Sequence, residues 1–582
     1  MADERLIVVG GGLAGLMTVI KIAEMGVPVD VFSIVPVKRS HSVCAQGGIN
    51  AAVNWKGEGD TPREHFDDSI YGGDFLANQP PVKDMCEAGP GIVFLLDRMG
   101  VMFNRTPEGL LDFRRFGGTK HHRTAFAGAT TGQQLLYALD EQVRRFEAEG
   151  LVRKFEAWEF LSAVIDAGGA CRGITALNQR TMEIHTFLGG AVMLATGGPG
   201  IVFGKSTNST VNTGTAAGAV YQQGAHYANG EFIQVHPTAI PGLDKLRLIS
   251  ESVRGEGGRV WTYRDGKPWY FLEEMYPAYG NLVPRDIATR AIFKVVFDMG
   301  LGVDGEPMVF LDVTHIDSQV LDRKLGGVLE IYEKFMGDDP RKVPMKIFPG
   351  MHYSMGGLWV DYDHMTNIPG LFAAGEVDYQ YHGANRLGAN SLLSCIYSGQ
   401  IAGPNMVRYA RAHAASGTVQ HAADLEKRRQ EQAFSTLRSM QGKENVYVLA
   451  KELGEVMTAN VTVIRDNDKL RVTDNKLREL KDRWASIGLH DSSGWANQEL
   501  SFIKQLWNML DLARVITLGA LARDESRGAH YKPAFPERDD ARWLKTTRAS
   551  WSSDGPELSY EPVDTSLIKP RPRKYDVDKS AA

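Results

Sequence analysis

The chain is poor in cysteine, has no long apolar run and carries no basic excess, and each shortage excludes something. Its 582 residues include four cysteines, Cys44, Cys86, Cys171 and Cys395. They lie far apart and form no C-x-x-C pair. That excludes the usual ligand spacing of an iron–sulfur cluster and the attachment pattern of a c-type haem. Free thiols in a reducing compartment are the expectation. No uninterrupted apolar stretch approaches the roughly 18 residues of a membrane span. The opening run, MADERLIVV, lacks the basic region, apolar run and cleavage site of a signal peptide. The chain is therefore expected in the cytoplasm, with any membrane association supplied by another protein. A net charge of -5 leaves no basic footprint, so no nucleic-acid partner is expected.

Glycine, by contrast, is abundant, at 62 residues. Leu6–Val9 is a short apolar run of the kind that forms a buried parallel strand. Gly10-Gly11-Gly12-Leu13-Ala14-Gly15 follows, then a helical pattern over Leu16–Met25, then a second strand over Val27–Ser33. This is a βαβ unit. Gly10, Gly12 and Gly15 give G-x-G-x-x-G between strand and helix. They provide a tight turn, close approach of backbone to a pyrophosphate, and close helix–strand packing. The free N–H groups of the helix start, at Leu13 and Ala14, would face the phosphates. NAD and FAD share this fingerprint. An acidic residue is usual at the end of the second strand, but Ser33 and Ile34 stand there and Asp30 lies too early. Ser33 is the candidate ribose contact.

Two more apolar strands run into glycine, Ala191–Gly198 and Leu371–Gly375. Three such elements imply one nucleotide-binding domain interrupted by an insertion. The expected division is a Rossmann-like domain over residues 1–236 and 351–410, an inserted α+β capping domain over 237–350, a helical domain over 411–540 and an extension over 541–582. The fold class is α/β. Ile503, Leu506, Trp507 and Leu510 recur at helical spacing and read as core packing. The last forty or so residues read as loop. Their basic, proline-rich run Lys569–Lys574 is expected to be extended and solvated, with docking onto a partner as the alternative.

Residues 36–50 are too polar, small and glycine-rich for an ordinary connector. At Arg39-Ser40-His41 and Ala45-Gln46-Gly47-Gly48 the chain begins to resemble the flavoprotein subunit of succinate dehydrogenase and fumarate reductase, as found in respiratory complex II. The likeness continues through Arg115–Thr119, His236-Pro237-Thr238, Arg254–Gly258, His352–Gly357, His382–Leu393, Arg523–His530 and Arg538-Asp539-Asp540. It implies FAD bonded covalently through His41, which would raise the flavin potential. Arg39, Ser40, Gln46, Gly47 and Gly48 belong to the same cofactor loop. Glu376 would contact the ribityl chain, and the backbone of Ser391 and Leu392 the flavin pyrimidine. Where many relatives carry Asp after Thr-Gly, this chain has Thr215.

The resemblance also implies a dicarboxylate substrate, succinate or fumarate, held by His236, Ser250, His352 and Arg386. Arginine suits this because its planar fork grips a carboxylate at two points. It assigns proton transfer to Arg285, with Glu251 and Arg254 as a relay. Arginine normally keeps its proton, so the role needs neighbouring cations and a drain. The insertion would act as a lid. Electrons would pass to a separate iron–sulfur subunit and a membrane anchor of cytochrome b type with quinone, so that clusters, haem and quinone belong to partners. The subunit would then sit peripherally on the cytoplasmic side of the inner (cell) membrane. L-aspartate oxidase is the alternative, against which His41 and its R-S-H setting argue. Gln46 stands where some dedicated fumarate reductases carry Glu, but Gln occurs in reductases too, so direction stays open.

Overall fold

The computed structural model describes residues 5–240, 242, 245–413 and 419–576. Seven strands position the site: β1 (Leu6–Val9), β2 (Val29–Ser33), β3 (Val152–Glu156), β4 (Val192–Leu194), β5 (Ile233–Ile240), β6 (Met345–Ser354) and β7 (Leu371–Ala373). Four helices matter with them: α1 (Leu13–Glu24), α2 (Pro62–Gly72), α3 (Arg285–Phe293) and α4 (Asn390–Ala412). A five-stranded sheet runs in the order β7-β4-β1-β2-β3, and every pairing in it is parallel. Val8 pairs with Met193 on one side and Val31 on the other. Both faces of β1 are buried, which is why its sequence is apolar throughout rather than alternating.

The three strand-to-glycine elements therefore stand side by side as β7, β4 and β1. Each leaves the sheet through a glycine of positive φ: Gly10 at 116°, Gly197 at 76° and Gly375 at 80°. All three turns lie at the carboxyl edge of a parallel sheet, where open α/β folds bind ligands.

The inserted segment builds a second, six-stranded sheet around β5 and β6, and its pairings are antiparallel. The divisions expected after residues 236 and 350 fall inside these two strands. They face each other, since His236 pairs with Gly350. The insertion is thus joined to the parallel-sheet domain through a two-stranded neck. Its register shifts between Gln234 and Val235 and again between His236 and Ala239. Such irregularities re-aim side chains beside active sites.

Beyond α4 the described residues form four long helices, Val419–Arg438, Val446–Val461, Asn467–Trp484 and Gln498–Ala522. Ile503, Leu506 and Leu510 bury against Leu449, Leu453, Leu470 and Leu477. Trp507 is half-buried against Trp484. Among the described residues no helix is long and apolar enough to cross a membrane, and no His, Cys, Asp and Glu cluster could hold a metal. The four cysteines are free.

The C-terminal region departs from its reading as loop and solvated tail. Lys545–Ser550 and Glu557–Pro562 form a hairpin that joins a sheet through Tyr227 and Ala228. Its buried positions are Thr546, Thr547 and Ala549, too small and polar to announce a strand. The basic run after it is extended but docked on the protein's own surface. Arg571 pairs with Asp67 at 2.8 Å and Arg573 with Asp286 at 2.5 Å. The prolines and charges that suggested solvation instead serve specific ion pairs.

Candidate active site

One cavity of about 490 Å³ runs from the Gly10 turn to Arg386. Its first end is made mostly of backbone. A side chain at Gly15 would place its Cβ 1.9 Å from the Gly10 carbonyl, so only glycine lets α1 lie this close to β1. Gly12 caps α1 without a side-chain hydrogen bond, leaving first-turn N–H groups of the helix for a ligand. Leu13 N–H reaches Ser42 Oγ at 3.3 Å. Ser33 lines the cavity, and its hydroxyl donates to the Val35 carbonyl at 2.5 Å, which leaves the oxygen able to accept. Asp30 is spent elsewhere, in ion pairs with Arg5 and Arg153.

Four further polar atoms in this wall are buried without a partner: Ser40 Oγ, Thr196 Oγ1, Asn212 Oδ1 and Glu159 Oε2. Buried polar groups normally find partners, so these point to a long polar ligand. Ser391 and Leu392 begin α4 after Ala389, whose φ is 63°, and present first-turn N–H groups from the opposite side. Glu376 accepts from Ser354 N–H at 3.0 Å, and burial pushes its carboxyl up to about 7. Glycine turn, two helix starts and orphaned wall atoms together fit a dinucleotide such as FAD.

His41 stands midway. Ser209 N–H donates to its Nδ1 at 3.1 Å, and the Asn208 side-chain nitrogen lies 3.2 Å from its Nε2. Removal from water, with Lys245 adding to it, lowers the imidazole to about 4, so the ring is neutral at pH 7. Gln46 Nε2 donates to the Leu248 carbonyl at 3.1 Å, linking the cofactor loop to the inserted domain. Gly47 and Gly48 line the wall beside it.

The far end is built of charged and neutral polar side chains from five distant segments. Arg285, first residue of α3, donates from Nε to Glu251 at 2.7 Å and from Nη1 to Gln234 Oε1 at 2.8 Å. The other oxygen of Glu251 accepts from Arg254 at 2.8 Å and from Gly117 N–H at 3.0 Å. Arg285, Glu251 and Arg254 are thus one continuous chain. The sequence predicts a shared helical face for Glu251 and Arg254, and a single helical turn over Ser252–Gly255 provides it. Burial would raise the Glu251 carboxyl, but Arg285 and Arg254 outweigh it and hold it below the usual range. Burial lowers Arg254, and Arg285 adds to this against Glu251.

Arg386 is buried and forms no ion pair with a carboxylate among the described residues. Its guanidinium lies 4.2 Å from the Tyr353 ring centroid and its Nε has no partner. Burial, with Arg285 adding, lowers it to about 9, which still leaves it charged at pH 7. His236 Nδ1 accepts from Thr238 N–H at 3.2 Å, so Nε2 carries the proton, and that buried atom is unpartnered. His352 Nδ1 contacts Thr207 Oγ1 at 2.7 Å, and the two histidine rings are 4.9 Å apart. Desolvation first, then Arg285, holds both imidazoles neutral, well below their ordinary value. Ser250 is buried in the same wall, its oxygen accepting from Ser252. Three guanidiniums, Arg254, Arg285 and Arg386, therefore face one carboxylate, Glu251. The excess matches a dianion.

The cavity brings together most of the residues singled out in the sequence. Gly15 and Arg254 stand behind the wall in supporting positions. Arg39 is a correction: the 3₁₀ turn Val37–Arg39 buries Val37 and leaves Arg39 exposed, outside the lining. Several contacts were missed. Gln234 fixes both arginines, since its nitrogen also donates to the Arg386 carbonyl at 2.7 Å. It lies two residues before His236, and the strand repeat of two was a usable signal. Tyr353 adjoins His352. Thr207, Asn208 and Ser209 had no signal, because they act from a loop remote in sequence.

A family model described as "FAD binding domain" matches residues 5–392, and another, "Fumarate reductase flavoprotein C-term", matches residues 450–575. The chain is 68% identical to the Bacillus subtilis succinate dehydrogenase flavoprotein subunit, covering 100% of both chains. It is 34% identical to the fumarate reductase flavoprotein subunit of Mycobacterium tuberculosis, over 99% of each. Among solved structures, an Escherichia coli quinol fumarate reductase chain superposes with a TM-score of 0.92 at 32% identity, over 99% of each.

Proposed function

Because the chain belongs to the flavoprotein-subunit family of succinate dehydrogenases and fumarate reductases, we propose that it interconverts the two acids in this cavity with FAD held covalently on His41. The observation that carries the reading is the buried positive excess at one end of a dinucleotide-shaped cleft. Arg386, which has no ion-paired carboxylate among the described residues, receives one substrate carboxylate, with His352 beside it. His236, through its free Nε2–H, and Ser250 receive the other. Arg285 moves the proton at the substrate carbon, and Glu251 and Arg254 carry it away or return it. When bound, FAD supplies the two-electron acceptor or donor for the accompanying hydride.

The hydrogen bonds of His41 favour one atom for attachment. Ser209 N–H fixes Nδ1 as an acceptor, so Nε2 is the nitrogen that carries a substituent. A neutral, desolvated imidazole is also the form able to make such a bond. An iron–sulfur subunit takes up the electrons, and a membrane anchor of cytochrome b type holds the assembly at the cytoplasmic face. The lack of any C-x-x-C spacing supports an external electron acceptor. L-aspartate oxidase is not favoured, given full-length identity to a succinate dehydrogenase subunit. Acid precipitation of the purified protein tests the cofactor linkage. Yellow colour should stay with the denatured polypeptide and pass to the supernatant in His41→Ala. Release from the parent protein would remove the covalent bond from the proposal.

A further inference from the structure

The docked C-terminal run touches both halves of the protein where they meet beside Arg285. On the flavin-domain side it lies along α2. Arg571 forks onto Asp67 at 2.8 and 3.0 Å. Tyr71 Oη accepts from Lys574 N–H at 2.6 Å and donates to the Lys574 carbonyl at 2.8 Å. Upstream, the Gln79 side chain accepts from Leu567 and Ile568 N–H and donates to the Ile568 carbonyl. On the inserted-domain side, Arg573 forks onto Asp286 at 2.5 and 2.9 Å, with side chains only 5% and 2% exposed. Tyr575 is buried between Tyr71, 5.5 Å away, and Tyr279 of the insertion, 5.0 Å away.

Asp286 is the residue after Arg285, in the first turn of α3. Arg285 is thus held from two directions, by Glu251 and Gln234 in front and by the ion pair of its neighbour behind. We propose that Arg573 is a positioning residue for the reaction: through Asp286 it fixes the first turn of α3 and with it the guanidinium of Arg285. A point-charge anchor would tolerate rotation, but the bidentate fork fixes orientation as well as distance. Loss of the fork leaves Asp286 buried with Arg290, at 3.2 Å, as its remaining ion-pair partner among the described residues. The turn then settles in a different place. The carboxylate-binding groups His236, His352 and Arg386 stand on other segments and stay where they are.

The inference rests on the proton role given to Arg285, and the test separates the two. Arg573→Gln, Arg573→Lys, the double variant Asp286→Asn/Arg573→Gln and Arg285→Lys are prepared as full-length flavin-loaded protein. Turnover with succinate and a dye is measured beside the Kd of malonate, a dicarboxylate that cannot be oxidised to an alkene. Arg573→Gln should lower kcat by about ten- to a hundredfold, the range a misplaced catalytic group shows. Flavin content should be unchanged and the malonate Kd within twofold. Arg573→Lys should recover part of the rate, and the double variant should be no slower than Arg573→Gln. A kcat within twofold of the parent in Arg573→Gln, or a malonate Kd that weakens in step with kcat, overturns the positioning role. If Arg573→Gln does not accumulate with flavin, the double variant Asp286→Asn/Arg573→Gln, which leaves no buried charge unpaired, is judged by the same criteria. An active Arg285→Lys would sink the proton role itself, whereas an inactive Arg285→Lys beside an unaffected Arg573→Gln sinks only the strap.

Discussion

The two ends of the cavity solve binding in opposite ways. The phosphate end uses backbone: glycines at Gly10, Gly12 and Gly15 and the N–H groups of two helix starts. The end proposed to take the dicarboxylate uses buried charge: Arg254, Glu251, Arg285 and Arg386, all at most 5% exposed. A cradle of backbone needs close approach and little else, so a few small residues at fixed spacing in one segment suffice. A site for a small dianion needs several charges at one point, and a chain brings these together only by folding distant segments onto each other. Desolvation makes such charges strong, and it also makes each unpaired one costly.

The largest effect should come from breaking the charged end while sparing the other. Arg386→Gln leaves a substrate carboxylate buried without its cation. Losses of about 2–5 kcal/mol follow from removing one partner of a buried pair, or roughly thirty- to several-thousandfold in kcat/KM. Flavin content should not change. Steady-state kinetics and the flavin absorbance of the same preparation check both halves. Equal loss of flavin would mean that the two ends do not separate.

A smaller effect is expected at the adenosine end from a buried carboxyl that lines the cavity, Glu159. Burial, opposed by the hydrogen bond from Gln505, raises it to about 7. The folded protein therefore holds a proton that the unfolded chain releases near pH 4.5. Unfolding is eased as pH rises from the unfolded value through the folded one. The destabilisation is absent below 4.5 and complete above 7. Glu159→Gln should remove it, raising stability at pH 8 by about 3 kcal/mol, with no gain at pH 4. Thermal midpoints of variant and parent prepared without flavin, the state in which Glu159 Oε2 has no partner, check the sign across that range. Parallel curves would show that Glu159 does not titrate in this window.

The same contrast explains what the sequence made legible. The G-x-G-x-x-G turn and the three apolar strands ending in glycine carried their meaning locally, and the sheet places all three side by side. The insertion was visible as a change of pattern, but not the paired neck, because nothing local says that His236 faces Gly350. Residues of the charged end could be named only through likeness to a known family, since no spacing links Glu251, Arg285, His352 and Arg386. Gln234, Asn208 and Ser209 act by where the fold delivers them. The C-terminal segment was misread for a related reason: its arginines look solvated until their partners, Asp67 and Asp286, are known.

The most direct test is an anaerobic titration of the purified, flavin-loaded protein, following the visible flavin absorption. Addition of succinate should bleach it, and fumarate should restore the colour, while L-aspartate leaves the spectrum unchanged. Bleaching by L-aspartate, or none by succinate, would contradict a dicarboxylate site built on the Arg285–Glu251–Arg254 chain and Arg386.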